Sequence, residues 1–133
     1  MTAMPFMRMH HDTDPKQALL DEMGPLDDLE VFNNQVLVAI YVRPNKTKGG
    51  IMLSEQTRDE DKWQGKVGLV VKKGPTAFKD EGDIWFKHVN VELGDWVVCR
   101  PGDGWNINVH NVMCRMIADY DIRGRVSAPD SVW

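Results

Sequence analysis

The sequence lacks most of the features that announce chemistry. It has two cysteines, Cys99 and Cys114, and they form no CxxC pair. A zinc site is therefore not expected. Two small buried or half-buried thiols in strands are expected, with a disulfide as the alternative. No apolar run approaches the ~18 residues of a membrane span. The N-terminal stretch MTAMPFMRMHHDTD has no continuous apolar segment of the kind a secretory signal needs, so a cytoplasmic protein is expected. Positive charge is not in excess: 16 Lys and Arg against 20 Asp and Glu give a net charge of -4. With no basic patch and no span, neither nucleic acid nor membrane is an expected partner.

Catalytic patterns are missing as well. No nucleophile elbow, Walker-type loop or dinucleotide fingerprint occurs. Pro101-Gly102-Asp103-Gly104 is glycine-rich, but it joins two strand-like segments and has no following helix to complete a phosphate cradle. It reads as a turn. His10-His11 with Asp12 and Asp14 could ligate a metal, yet adjacent histidines on a terminal segment rarely build a closed site. His88 and His110 stand alone among strand-like residues. The expectation is a non-enzyme without catalytic residues, metal or cofactor.

What remains is a chain of one-domain length, 42% hydrophobic and 27% charged, as in ordinary globular proteins. Residues 1–30 read as an extension carrying one short helix over 15–23. Asp14 suits its N-cap, Pro15 its first turn and Gly24 the position just past its end. Leu19, Leu20 and Met23 then need a surface to rest on. Met1, Met4, Phe6, Met7 and Met9 precede the helix.

From about Leu29 the pattern changes to strands. QVLVAIYV (Gln35–Val42) is rich in β-branched and aromatic residues and stops at Pro44. GKVGLVVKKG (Gly65–Gly74) predicts a second strand. DIWFKHVNVELGDWVVCR (Asp83–Arg100) predicts two short ones, and the last strands fall in Gly104–Val126. Short strands at turn-marked intervals predict an all-β barrel over 31–126, with a long loop at 43–64 and a tail at 127–133.

That loop holds an anomaly. Ile51-Met52-Leu53 are three bulky apolar residues in a row. Gly49-Gly50 and two lysines precede them, and six charges fall among the eight residues from Glu55 to Lys62. The charged stretch reads as a solvated run. The triplet lacks strand alternation, and its flanks are glycine and charge.

The order of these landmarks resembles the GroES-like co-chaperonin family. Val36–Ile40 matches its first hydrophobic strand, and Gly49-Gly50-Ile51-Met52-Leu53 its glycine-flanked apolar triplet. Gly65–Gly74, Val91-Glu92-Leu93-Gly94-Asp95-Trp96-Val97-Val98 and Asp121-Ile122-Arg123-Gly124-Arg125-Val126 match the later strands. The resemblance spans about Asn33 to Val126. It implies a GroES-like irregular β-barrel with a mobile loop, and a lid of seven subunits that closes a GroEL-type chaperonin over a folding client.

Carried over residue by residue, Ile51, Met52 and Leu53 dock on the chaperonin, and Gly49 and Gly50 supply backbone freedom. The resemblance also implies a ring built by pairing the first core strand, with Val36, Val38 and Ile40, against the last strand of a neighbouring copy, with Ile122 and Val126. Met52 departs mildly from the family's usual Val or Ile. The N-terminal extension, the Ser127–Trp133 tail, a longer Gly74–Asn90 stretch and five tryptophans are larger departures. They resemble enlarged phage co-chaperonins. They leave open an alternative role as a virion structural protein, decorating or cementing a phage capsid or forming part of its neck.

Overall fold

The computed structural model describes residues 9–44, 49–80, 82 and 84–132. Met1, Met4, Phe6 and Met7, the lysines Lys46 and Lys48, and Trp133 lie outside the described residues.

The N-terminal helix α1 spans Pro15–Met23 and is capped at both ends as its sequence predicts. The Asp14 carboxylate accepts the Gln17 N–H at 3.2 Å. Gly24, at φ 66°, closes the last turn by donating its N–H to Leu20 O at 2.9 Å. A nine-residue helix is marginal alone, and α1 gains its stability from the sheet. Met23 is buried in a core cluster and Leu19 packs against it, while Leu20 stays exposed.

Six strands follow: β1 (Gln35–Ile40), β2 (Val67–Lys73), β3 (Trp96–Cys99), β4 (Trp105–Val109), β5 (Val112–Ala118) and β6 (Ile122–Val126). They form one antiparallel sheet in the order β4-β5-β1-β2-β3-β6. The expected mostly-β class therefore holds. His110 and Asn111 join β4 to β5 with φ of 49° and 67°, the doubly left-handed geometry that suits a two-residue hairpin.

β1 lies at the centre of the sheet, with apolar contacts on both faces. Leu37 and Ala39 join one cluster with Met23, Val31, Val67, Leu69 and Cys114. Val36, Val38 and Ile40 join another with Val70, Val97 and Ile117. Burial on both faces explains why this strand reads as a continuous apolar run instead of an alternating one. The β1–β2 register shifts between Leu37 and Val38, and the β3–β6 register between Val98 and Cys99. Such irregularities bend and twist a sheet locally.

Two sequence expectations are corrected. Glu55–Gln64 is not a solvated loop but a ten-residue helix, α2. The Asp83–Arg100 stretch contributes one strand, β3, because the described residues between Ile84 and Asn90 form turns. The Asp80 carboxylate gathers the N–H groups of Ile84, Trp85 and Phe86 at 2.9, 3.0 and 3.2 Å, and this folds the segment back on itself.

Among the described residues, no helix is long and apolar enough to cross a membrane, and no group of three His, Cys, Asp or Glu residues is placed to hold a metal. His10 instead meets Asp12, and His11 meets Asp130. Cys99 and Cys114 are both buried free thiols.

Candidate functional site

Two of the three residues of the apolar triplet are exposed. Ile51 and Met52 are each 62% exposed, and Leu53 is partly buried. Gly50, at φ 88°, turns the chain just before them, a conformation that a side chain would strain. Immediately after them Ser54 caps α2, its hydroxyl accepting the Thr57 N–H at 3.1 Å. The triplet is thus a short exposed link between a glycine turn and a capped helix.

α2 has no broad apolar face. Its exposed side carries the spaced pairs Glu55–Arg58 at 3.7 Å and Asp59–Lys62 at 3.5 Å, which support a helix only weakly. Stronger ties run from its inner side to the barrel. Asp61 is 3% exposed, and its two oxygens accept Arg43 Nε and Nη2, each at 2.9 Å. The Arg43 backbone N–H reaches the same carboxylate at 3.2 Å. Arg58 Nε donates to Arg43 O at 3.0 Å. The chain just beyond β1 is thus fastened to the helix after the loop.

The C-terminal end of α2 meets Arg115 of β5. This side chain is fully buried. Its Nη1 donates to Gly65 O at 2.7 Å and its Nη2 to Trp63 O at 3.0 Å. A helix leaves its last carbonyls unsatisfied and carries partial negative charge at that end. The guanidinium answers both needs. Gly65 is required there for space, since a Cβ would lie 2.8 Å from Asp61 O and 2.9 Å from Ile40 Cγ2.

The expected interface residues occupy different places. Val36, Val38 and Ile40 point into their own core. β1 pairs with β2 on one side and β5 on the other. Within the subunit it has no free edge. Ile122 and Val126 lie on β6, which pairs with β3 and stands at one margin of the sheet. Their side chains pack on their own subunit's clusters, so any contact made through β6 would fall to its outer backbone edge.

Several features escaped the sequence reading: α2 itself, the Arg43–Asp61 pair and buried Arg115. Ser54 at a helix start and the oppositely charged residues three apart were the available signals for α2. Nothing local marks the partners of Asp61 and Arg115, which lie 18 and about 50 residues away along the chain.

Comparison with known proteins gives two findings. A family model described as "Chaperonin 10 Kd subunit" matches residues 28–126. The "20 kDa chaperonin, chloroplastic" of Arabidopsis thaliana is 30% identical over 63 residues, which cover 47% of this chain and 23% of that protein. The matched region thus spans under a quarter of that relative's length.

Proposed function

The chain belongs to the chaperonin 10 kDa subunit family, and on that premise we propose that it is a co-chaperonin whose Ile51–Leu53 triplet docks on a GroEL-type chaperonin. Seven copies form the lid that encloses a folding client. The observation that carries this reading is the 62% exposure of both Ile51 and Met52 beside a glycine at positive φ. Two large apolar side chains held in water on a narrow link suit a partner's groove better than their own core.

The energetics favour many weak arms. Burying three such side chains yields at most about 4.5–9 kcal/mol per loop, at about 1.5–3 kcal/mol each. Fixing loop backbone costs about 1–2 kcal/mol per residue. A handful of newly ordered residues offsets most of the gain, so one loop binds weakly. Tethering copies in a ring converts later contacts into intramolecular ones and restores affinity.

The test mixes the protein with a GroEL-type chaperonin and nucleotide, then measures complex formation and chaperonin ATPase inhibition. Wild type should bind and inhibit, and Ile51→Asp should do neither while keeping its thermal midpoint. Failure of wild type to bind would overturn the reading. Sedimentation of the free protein tests the ring.

A further inference from the structure

The three residues that carry the proposed docking are presented by machinery that the family match does not explain. Arg43 lies three residues beyond β1, in the segment that leads into the loop. Asp61 lies in the last turns of α2, which leads out of it. The bidentate Arg43–Asp61 contact, with both nitrogens at 2.9 Å, ties entry to exit. Arg58 adds a second tie to the Arg43 carbonyl at 3.0 Å. Arg115 then fixes the end of α2 to β5 through the Trp63 and Gly65 carbonyls. All three ties converge on the root of the loop, and none touches Ile51, Met52 or Leu53.

Resting on the co-chaperonin reading, we propose that Arg43, Asp61 and Arg115 form a clasp that positions the docking triplet for its chaperonin partner. With α2 fastened to Arg43 on one side and to β5 on the other, the helical half of the 43–64 loop expected from sequence is already ordered before a partner binds. A shorter free segment with fixed ends loses less entropy when a partner grips it. The Asp61 and Arg43 side chains are only 4% and 13% exposed. A charge-assisted fork so shielded from water is more strongly directional than a surface pair. The guanidinium of Arg115, lying against carbonyls at the helix terminus, holds α2 in one register. These are positioning residues, and the triplet makes the contact itself. In a ring the effect is repeated in every subunit, so a small loss per loop multiplies in the assembled lid.

The deciding experiment compares wild type with Asp61→Asn and Arg115→Met. One readout is amide hydrogen exchange over residues 55–64 in the free protein. The other is affinity for a GroEL-type chaperonin with nucleotide. The clasp predicts exchange over α2 faster by roughly tenfold or more while β1 and β5 keep their protection. It also predicts chaperonin affinity weaker by roughly tenfold or more with the triplet intact. A merely structural role would speed exchange and leave affinity unchanged, and that result overturns the proposal. Unchanged exchange over α2 overturns it as well. If wild type itself fails to bind, the co-chaperonin reading falls and takes the positioning role with it. Binding by wild type with equal binding by the variants sinks the clasp alone. Should either buried substitution cost the β-sheet signal in circular dichroism, Arg58→Ala carries the same test, because it removes the tie to the Arg43 carbonyl from a partly exposed site.

Discussion

His110 and Asp28 meet at 3.1 Å across 82 residues of sequence, and the other ring nitrogen of His110 lies 2.6 Å from Met23 O. Both neighbours accept hydrogen bonds. A neutral imidazole has one N–H, so full pairing requires the imidazolium. The cation also stands at the C-terminal end of α1, where the helix dipole favours it. These contacts, the Met23 carbonyl first and Asp28 second, raise the His110 pKa above its ordinary 6.5. The hydrogen bond from His110 holds Asp28 below its ordinary 3.8.

The sign of the pH effect follows. A raised histidine contributes stability in full below its unfolded pKa and loses it as pH rises through the folded value. A lowered aspartate contributes above its unfolded pKa and loses it as pH falls through the folded value. The pair is therefore most effective between 3.8 and 6.5. Thermal midpoints of wild type and His110→Gln should differ most near pH 5.5 and converge toward pH 9. A gap independent of pH would show that the imidazolium is not what holds α1.

Tyr41 joins both ends of the described chain. Its hydroxyl donates to Asp130 and lies 3.3 Å from His11 Nε2, and His11 meets the other Asp130 oxygen at 2.8 Å. Burial, then the Asp130 hydrogen bond, drives the phenol far above its usual range. Tyr41→Phe keeps the edge-on ring contact with Trp96, 5.7 Å between centroids, and removes the hydroxyl. The expected loss is about 1.5–3 kcal/mol in urea unfolding, the range for a hydrogen bond to a charged group. Faster proteolysis near both termini should accompany it.

Cys99 and Cys114 should be silent toward thiol reagents in the native protein. Both are buried, and desolvation raises both thiols, Cys114 to about 12. The thiolate is the reacting form. Titration with a chromogenic disulfide should release close to no colour before unfolding and two equivalents in denaturant. Fast native labelling of either would show that the sheet opens there.

Much of this fold is legible because its signals are local. Asp14, Pro15 and Gly24 mark α1 from within a dozen positions, and the apolar runs of β1 and β2 announce two-faced burial directly. α2 was hidden because its anchors are distant. Six charges in eight residues look like solvent contact until Asp61 is seen paired with Arg43 and the helix end with Arg115. Ile84, Trp85 and Phe86 look like a strand, but Asp80 captures their amide protons and turns the chain. The triplet itself was conspicuous for lack of pattern: three apolar residues fit neither a two-residue nor a 3.6-residue period. Which edges of β1 were occupied could not be read, since pairing depends on the order of the whole sheet.

The Tyr41 node couples two parts of the chain that are otherwise remote. Lifting the segment around His11 takes one partner from Asp130, and peeling away the turn at Pro129–Ser131 takes the Asp130 carboxylate from both Tyr41 and His11. Each departure weakens the other's hold, so the segment around His11 and the turn at Pro129–Ser131 should detach as one cooperative event. A tag or fusion that tugs at either terminus would then loosen both.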